Sequence, residues 1–258
     1  MNDAVYIEIT AVRGSTPRDV GTAMKVTAHE IAGTIGGGAL EHQAIMTARQ
    51  MLSDGRAMQT LKIPLGPNLG QCCGGAVTLR FSHEERPTDA EPTPTHGPLL
   101  SGPPRNLWLW GAGHVGRAVV AHAPAKAFDI TWVDRDLDRF PAVLPDAVTV
   151  VPALDMPRLA LRAPLDAHHL IFTYSHDIDL ALCAALLTRS AASIGLIGSD
   201  TKWARFSKRL DAMGLDPSQI TCPIGDKRLG KRPSDIAQGV VATLLADARA
   251  DAPSKATA

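Results

Sequence analysis

The stretch Leu107-Trp108-Leu109-Trp110-Gly111-Ala112-Gly113-His114-Val115-Gly116 decides the fold of the second part of this chain. Its apolar start predicts a buried strand, and the spacing Gly111-x-Gly113-x-x-Gly116 predicts a tight turn that opens a helix. Asp134 follows 23 positions after Gly111, at the end of the next apolar run, where dinucleotide-binding units carry an acidic residue. The pattern predicts a Rossmann-type unit in which the three glycines and Asp134 are candidate cofactor-binding residues, the alternative being glycines that serve only the turn and its packing.

Apolar runs and helical patterns alternate from this unit to the end of the chain. Such an alternation is typical of a parallel sheet that is covered by helices on both faces. We therefore predict an α/β fold, with a Rossmann-like, doubly wound parallel-sheet domain over residues 106–258. The predicted strands after Trp110 are Ile130–Val133, Val148–Val151, Leu170–Tyr174, Ile194–Ile197 and Ile220–Cys222, and the predicted helices are Arg117–Ala123, Leu180–Thr188, Lys202–Met213 and Ile236–Ala248.

The first part of the chain predicts a smaller α+β domain over residues 1–81. A segment rich in Pro, Thr, Glu and Asp, residues 82–105, has no hydrophobic period and predicts an exposed linker between the two domains. The elements predicted before the linker are a strand at Val5–Val12, a hairpin around Lys25, a helix at Ala39–Leu52, and strands near Thr60–Ile63 and Ala76–Phe81.

Composition limits the classes of function. The chain has 258 residues, 45% of them hydrophobic, and a formal net charge of zero. Nucleic-acid binding needs a basic face, so no nucleic-acid partner is expected. No run of about 18 apolar residues is present and the first residues resemble a strand rather than a signal peptide, so no membrane partner is expected. The spacing of the four cysteines fits neither a disulfide framework nor a CxxC zinc site, which favours a reducing cytoplasm.

The segment Leu69-Gly70-Gln71-Cys72-Cys73-Gly74-Gly75 is a candidate site for sulfur or metal chemistry. Adjacent cysteines between glycines predict thiols on an exposed, tightly turning backbone that a ligand can approach. Thiolates bind soft metals and also carry sulfur, so Cys72 and Cys73 are candidate metal ligands. The alternative is one buried cysteine beside an exposed neighbour. Of the other cysteines, Cys183 is predicted in the core. The sequence does not decide between a core position and a functional role for Cys222.

Two further segments of the first domain are candidate anion sites. Gly33-Thr34-Ile35-Gly36-Gly37-Gly38 precedes a helix, and backbone N–H groups at a helix start bind anions. We expect three consecutive glycines (Gly36, Gly37 and Gly38) to exceed what a turn needs, the alternative being a hairpin that needs positive φ. The loop Arg13-Gly14-Ser15-Thr16-Pro17-Arg18 offers guanidinium and hydroxyl groups that suit a phosphate or a pterin edge, the alternative being a solvated turn.

Two segments follow predicted sheet strands, where the sites of α/β proteins lie. In Tyr174-Ser175-His176-Asp177, His176 is a candidate acid/base or ligand. In the alternative, Ser175 or Asp177 only caps the following helix. Gly198-Ser199-Asp200-Thr201-Lys202 is either another anion site or a capped helix start with a basic outer face.

Together these residues resemble the xanthine dehydrogenase accessory protein family, the XdhC/CoxI group. The resemblance covers nearly the whole chain apart from the predicted linker. The motifs that carry it are Arg13-Gly14-Ser15-Thr16-Pro17-Arg18, Gly33-Thr34-Ile35-Gly36-Gly37-Gly38-Ala39-Leu40-Glu41, Gly70-Gln71-Cys72-Cys73-Gly74-Gly75, Trp110-Gly111-Ala112-Gly113-His114-Val115-Gly116, Tyr174-Ser175-His176-Asp177, Ile194-Gly195-Leu196-Ile197-Gly198-Ser199 and Cys222-Pro223-Ile224-Gly225.

The resemblance implies a chaperone of the molybdenum cofactor (molybdopterin) rather than a turnover enzyme. Such a protein protects the bound cofactor from oxidation, accepts its sulfuration by a cysteine desulfurase and helps to insert it into the molybdenum subunit of xanthine dehydrogenase. A homodimer in the cytoplasm is also expected. The residues expected to contact the cofactor are Arg13, Ser15, Arg18, Gly36, Gly37, Gly38, Gln71, Cys72, Cys73, Gly111, Gly113, Gly116, Asp134 and His176, with Cys72 or Cys73 near the molybdenum.

Two other functions stay open on the residues alone. The glycine motif and Asp134 also suit an NAD(P)-dependent oxidoreductase, although the sequence has no Tyr-x-x-x-Lys proton relay. The pair Cys72-Cys73 also suits a thiol redox or metal-transfer module.

Overall fold

The computed structural model describes residues 3–14, 16–65, 75–88 and 103–250, with side chains described as far as residue 247. The chain forms two compact units, the first built mainly from the N-terminal 92 residues. Among the described residues, no helix is long and apolar enough to cross a membrane. The predicted domain boundaries stay a prediction, because residues 89–102 of the proposed linker lie outside the described ranges.

The N-terminal unit is an antiparallel sheet with one helix, as the predicted α+β domain requires. The strand order is β3-β2-β1-β5-β4, with β1 antiparallel to both β2 and β5. The bounds are β1 Val5–Arg13, β2 Ala23–Val26, β3 Ile31–Gly33, α1 Gly38–Asp54, β4 Met58–Pro64 and β5 Ala76–Ser82.

Two periodicities build the core of this unit. Alternate residues of β1 (Val5, Ile7 and Ile9) are fully buried, as the period of two in a strand requires. The helix α1 buries residues three or four apart, so its apolar stripe joins the same core. The buried residues of α1 in that core are Leu40, Ala44, Ala48 and Met51.

The C-terminal unit is a parallel sheet of six strands, and it confirms the Rossmann-like prediction. The order is β8-β7-β6-β9-β10-β11, and all five neighbouring pairs are parallel. Counted from the first strand of this unit, the order reads 3-2-1-4-5-6, that of the dinucleotide-binding fold. The bounds are β6 Arg105–Trp110, β7 Phe128–Asp134, β8 Val148–Pro152, β9 His168–Ile171, β10 Ser193–Leu196 and β11 Ile220–Thr221.

Helices pack on this sheet in two groups, which is why it has two hydrophobic cores. Residues of α2 and α6 share a core with Leu107 and Leu109, whereas residues of α3, α4 and α5 share a second core with Trp110. Because side chains of a strand alternate between faces, β6 contributes to both. The bounds are α2 His114–His122, α3 Met156–Ala160, α4 His176–Leu187, α5 Asp200–Ala212 and α6 Pro233–Ala250.

The strand β9 ends three residues earlier than predicted, at Ile171 rather than Tyr174. The backbone N–H of Phe172 still donates to the Trp110 carbonyl, but the N–H of Thr173 donates to a carboxylate oxygen of Asp179. A side chain thus replaces the neighbouring strand as the acceptor and ends the ladder. The helix α2 starts at His114, three residues before the predicted Arg117, and the short α3 is not predicted at all.

A buried histidine, His169, lies in the centre of this sheet. It is 1% exposed, and its Nδ1 accepts a hydrogen bond from Nε1 of Trp110 at 3.2 Å. The two rings stack with 6.1 Å between their centroids. Burial away from water lowers the pKa of His169 to about 4, with a smaller contribution from the neighbouring His168.

The stability of the protein should therefore fall as the pH is lowered through the range between the two pKa values of His169. In the unfolded chain histidine takes up a proton near pH 6.5, whereas in the folded protein the pKa is about 4. Stability from this group is complete above pH 6.5 and is reduced by roughly 3 kcal/mol at pH 4. Urea unfolding of wild type and His169→Gln, which keeps an acceptor for Trp110, should show a flatter pH dependence in the variant. The variant His29→Gln, at an exposed position, is the control. A pH dependence of stability as steep in His169→Gln as in wild type would contradict the lowered pKa of His169.

Candidate functional site

The strand order of the C-terminal unit reverses between β6 and β9, and the predicted glycine motif lies at this point. Gly111 follows β6 with a φ of +118°. A Cβ on Gly111 would lie 2.6 Å from the carbonyl oxygen of Phe172. A Cβ on Gly116 would clash with the carbonyl oxygen of Gly111. Packing within the chain therefore requires glycine at both positions.

The middle glycine of the motif, Gly113, differs from the other two. It caps the start of α2 with φ −76° and ψ −171°, an extended backbone that any residue adopts. A Cβ placed there would meet nothing within 4 Å among the described residues. Neither conformation nor packing explains glycine here, whereas close approach of a ligand does. Backbone N–H groups at a helix start bind anions, so the open surface over Gly113 suits an anion such as a phosphate.

Asp134 holds this loop from the inside. It is 3% exposed, and its Oδ2 accepts a hydrogen bond from the backbone N–H of Ala112 at 2.6 Å. Its Oδ1 accepts another from the N–H of Arg135 at 2.6 Å and lies 3.7 Å from Nε of Arg139. The carboxylate is thus engaged by backbone before any ligand arrives. A ribose hydroxyl would have to share this enclosed carboxylate with the backbone N–H groups. Its contact with Asp134 stays a prediction.

The segment Gly198–Lys202 is a capped helix start, which was one of the two structures predicted for it. Oγ of Ser199 accepts a hydrogen bond from the N–H of Lys202 and caps α5. The Lys202 side chain is buried beside Asp179, and Arg205 is exposed on the outer face. This is a capped helix with an internal ion pair rather than a cationic anion site.

In the N-terminal unit, the glycine turn before α1 already surrounds an anion of the chain. Oε2 of the buried Glu41 accepts hydrogen bonds from Oγ1 of Thr34 and from the N–H groups of Ile35 and Gly37, the last two at 3.0 and 3.1 Å. The N–H of Gly36 donates to Oγ1 of Thr34 at 3.1 Å. An external anion would reach these amides only in place of the internal acceptors.

The same turn corrects the expectation that three glycines exceed what a turn needs. Gly36, Gly37 and Gly38 have φ values of +124°, +70° and +65°, where residues with a Cβ are strained. In addition, a Cβ on Gly36 would lie 2.5 Å from Cγ of Pro17. The backbone and the packing therefore account for the glycines. Their role in binding an anion stays a prediction.

Pro17 and Arg18 lie against this turn. The Pro17 ring packs on Gly36, and Arg18 is 5% exposed with Cγ 3.6 Å from the position of a Gly36 Cβ. Arg13 ends β1 and is exposed. Two of the predicted motifs thus meet through Pro17 and Arg18.

Comparison with known proteins gives this architecture a family. The family description "XdhC Rossmann domain" matches residues 107–244, and the description "XdhC and CoxI family" matches residues 2–63. The chain belongs to the XdhC family.

The individual proteins compared here share 27% sequence identity or less with this chain. The Escherichia coli protein YqeB, of uncharacterised function, is 27% identical over 92% of this chain, and the chain spans only 42% of YqeB. A Bacillus halodurans crystal structure named a xanthine dehydrogenase has a TM-score of 0.51 and 18% identity, covering 98% of this chain and 93% of that one. A Rossmann-fold NAD(P)-binding protein from Shigella flexneri has a TM-score of 0.35 at 16% identity, covering 58% of this chain and 88% of that one. The Bacillus structure supports the fold alone.

Several residues expected at the XdhC site lie outside the described ranges. They are Ser15, Gln71, Cys72 and Cys73, so the predicted metal ligands stay a prediction. Within the part of the chain that the structure describes, no group of three His, Cys, Asp or Glu side chains is arranged to hold a metal. His176 is half-buried as the first residue of α4.

The two described cysteines lack thiolate character. Cys183 is fully buried in α4, which confirms its predicted place in the core, and burial raises the pKa of its thiol strongly. Cys222 is half-buried, and burial raises the pKa of its thiol to about 11. Both thiols are protonated at neutral pH, which leaves Cys72 and Cys73 as the candidates for sulfur chemistry.

Sequence reasoning missed three charged residues that organise the loops, namely Glu41, Asp179 and Lys202. All three are buried, and charged residues are rarely buried without partners. Each lies in the first turn of a helix that follows a glycine or polar loop, which is the one signal in the sequence that points to them.

Glu41→Gln should destabilise the N-terminal unit. Replacing the carboxylate weakens charge-assisted hydrogen bonds from Thr34, Ile35 and Gly37, at a cost of about 1–3 kcal/mol. Chemical denaturation measures the effect, and Glu30→Gln, at an exposed turn, is the matched control. Equal stability of the two variants would show that the Glu41 charge does not hold the turn.

The same substitution at two glycines of the motif should destabilise the protein at one position and leave its stability almost unchanged at the other. Gly116→Ser forces an atom against the Gly111 carbonyl and should cost about 1–3 kcal/mol. Gly113→Ser enters open space at a position where serine caps helices well, so stability should change by less than about 0.5 kcal/mol. Thermal unfolding of both variants measures these two changes in stability. A large loss in Gly113→Ser would mean that packing, rather than ligand approach, explains this glycine.

Proposed function

We propose that this XdhC-family protein is a chaperone of the molybdenum cofactor. It binds the molybdopterin cofactor, holds it while a cysteine desulfurase sulfurates it, and delivers it to the molybdenum subunit of xanthine dehydrogenase. Family membership supports the maturation role. The specific cofactor and the two partner enzymes belong to the proposal, as does a homodimer that acts in the cytoplasm.

The observation that carries the proposal is the open surface over Gly113. It supports a ligand that brings an anionic group against backbone at the start of α2, and the cofactor has such a group in its terminal phosphate. Gly111 and Gly116 allow the loop to lie close to the sheet, and Asp134 holds its shape through Ala112. The site is therefore preformed, so little ordering cost is left for the moment of binding.

The N-terminal unit carries its own candidate residues for the cofactor. Cys72 or Cys73 would hold the molybdenum or its terminal sulfur, because thiolates bind soft metals and carry sulfur. Arg13, Ser15 and Arg18 would contact the pterin or phosphate, and burial of Arg18 limits its motion. When bound, the cofactor supplies the molybdenum centre on which the target enzyme depends. The chaperone itself binds, orients and shields, and it releases the cofactor when contacts with the target offer more free energy.

An NAD(P)-dependent oxidoreductase is the competing function, and the geometry of Asp134 disfavours it. Dinucleotide enzymes use this acidic residue for the ribose hydroxyls. Here the carboxylate is 3% exposed and both oxygens accept hydrogen bonds from backbone N–H groups. Steady oxidation of NADH in the presence of a small carbonyl compound would nevertheless favour the enzyme.

Delivery can be measured with xanthine dehydrogenase that lacks its cofactor. Protein loaded with molybdenum cofactor should activate this target more than an equal amount of free cofactor added together with unloaded protein, because a bound cofactor is shielded until transfer. Gly113→Ser and the double variant Cys72→Ala/Cys73→Ala should stay folded but retain cofactor roughly tenfold less well.

Two results would count against the proposal. Equal activation in the two arms, with pre-loading excluded in the second, removes the delivery role. Normal cofactor retention by the thiol double variant removes Cys72 and Cys73 from the site, and normal retention by Gly113→Ser removes the glycine loop.

A further inference from the structure

An ion pair is buried at the carboxyl end of the parallel sheet, between α4 and α5. Nζ of Lys202 lies 2.6 Å from Oδ2 of Asp179, and the two side chains are 5% and 1% exposed. Nζ also donates to the Ile197 carbonyl at 2.9 Å. Burying two charges has a desolvation cost, and apolar residues of similar volume often stabilise a fold as well. Stability alone is therefore a weak explanation for this pair.

The other oxygen of Asp179 holds the loop between β9 and α4. Oδ1 accepts hydrogen bonds from the backbone N–H of Thr173 at 3.0 Å and from its Oγ1 at 2.7 Å. Through Ile197, Lys202 holds the loop after β10 in the same way. The pair thus ties together two loops that follow neighbouring strands.

Thr173 is the residue that faces the glycine loop. A Cβ on Gly111 would lie 3.2 Å from Cα of Thr173 and 2.6 Å from the carbonyl oxygen of Phe172. Thr173 therefore packs against the glycine loop at the point where the strand order reverses, which is where sheets of this type bind their ligands. A shift of Thr173 would move one side of that ligand crevice.

Gly198 shows independently that the position of Lys202 is built into the fold. A Cβ on Gly198 would lie 2.9 Å from Cδ of Lys202 and 3.3 Å from Sγ of Cys222. Glycine at this position leaves room for the lysine stem. A cation in the first turn of a helix also opposes the helix dipole, a cost that the Asp179 carboxylate offsets.

We propose that Asp179, anchored by Lys202, is a positioning residue for the ligand crevice of the C-terminal unit. It sets the distance between Thr173 and the glycine loop, and so the space in which the phosphate end of the cofactor binds. The identity of the ligand rests on the proposed function, whereas the control of crevice geometry does not.

The test compares three double variants of the full-length protein. Asp179→Leu/Lys202→Met removes both charges and the acceptor for Thr173. Asp179→Asn/Lys202→Met removes the charges but keeps an acceptor oxygen. Asp177→Leu/Lys208→Met places the first pair of substitutions at exposed positions of the same two helices. Each variant is measured for thermal unfolding, for amide hydrogen exchange, and for affinity for molybdenum cofactor released from a molybdoenzyme.

We expect Asp179→Leu/Lys202→Met to stay folded at room temperature but to unfold at a lower temperature than wild type, because Thr173 loses its acceptor. It should exchange faster at residues 111–116 and 173 and bind the cofactor about tenfold more weakly. The Asn variant should recover most of the affinity, and the exposed control should resemble wild type. Unchanged exchange at residues 111–116 would overturn the positioning role, as would unchanged affinity. If the wild type itself does not bind the cofactor, the proposed function fails, and the exchange at residues 111–116 still decides the positioning role.

Discussion

The C-terminal unit depends on the close approach of Gly111 to the carbonyl group of Phe172. A Cβ at Gly111 would lie 2.6 Å from that oxygen, so the chain can turn here only without a side chain. Because β6 and β9 are adjacent at the point where the strand order reverses, this contact lies where sheets of this type bind their ligands. The start of α2 and the loop before α4 both follow from it.

Three buried carboxylates give the loops of this protein their shapes. Asp134 accepts the N–H of Ala112, Asp179 accepts the N–H of Thr173, and Glu41 accepts those of Ile35 and Gly37. In each case a side chain, rather than a neighbouring strand, satisfies backbone donors that would otherwise be buried without acceptors. The loops are consequently ordered before ligand arrives. Gly113 differs from Gly111 and Gly116 in that open space remains beside it.

The fold was predictable because its signals are local and periodic. The apolar runs predict strands at the right places, and the glycine spacing predicts the turn and the helix after β6. The three-residue error at the end of β9 has a tertiary cause, since Asp179 takes the N–H of Thr173 from across the loop. The site was less predictable. Sequence reasoning selected Gly113 and Asp134, but it could not tell that Asp134 faces inward, or that Glu41 already fills the glycine turn.

The sequence by itself determined the α/β class, the family and the glycine positions, because strand and helix periods and the need for positive φ act over a few residues. Only the tertiary structure decided which charges are buried and what they hold. Asp177 and Asp179 are both acidic residues in the first turn of α4, yet one side chain is 91% exposed and the other 1%. The difference arises from the 100° turn between successive residues of a helix. Two positions apart on α4, one carboxylate faces water and the other meets Lys202.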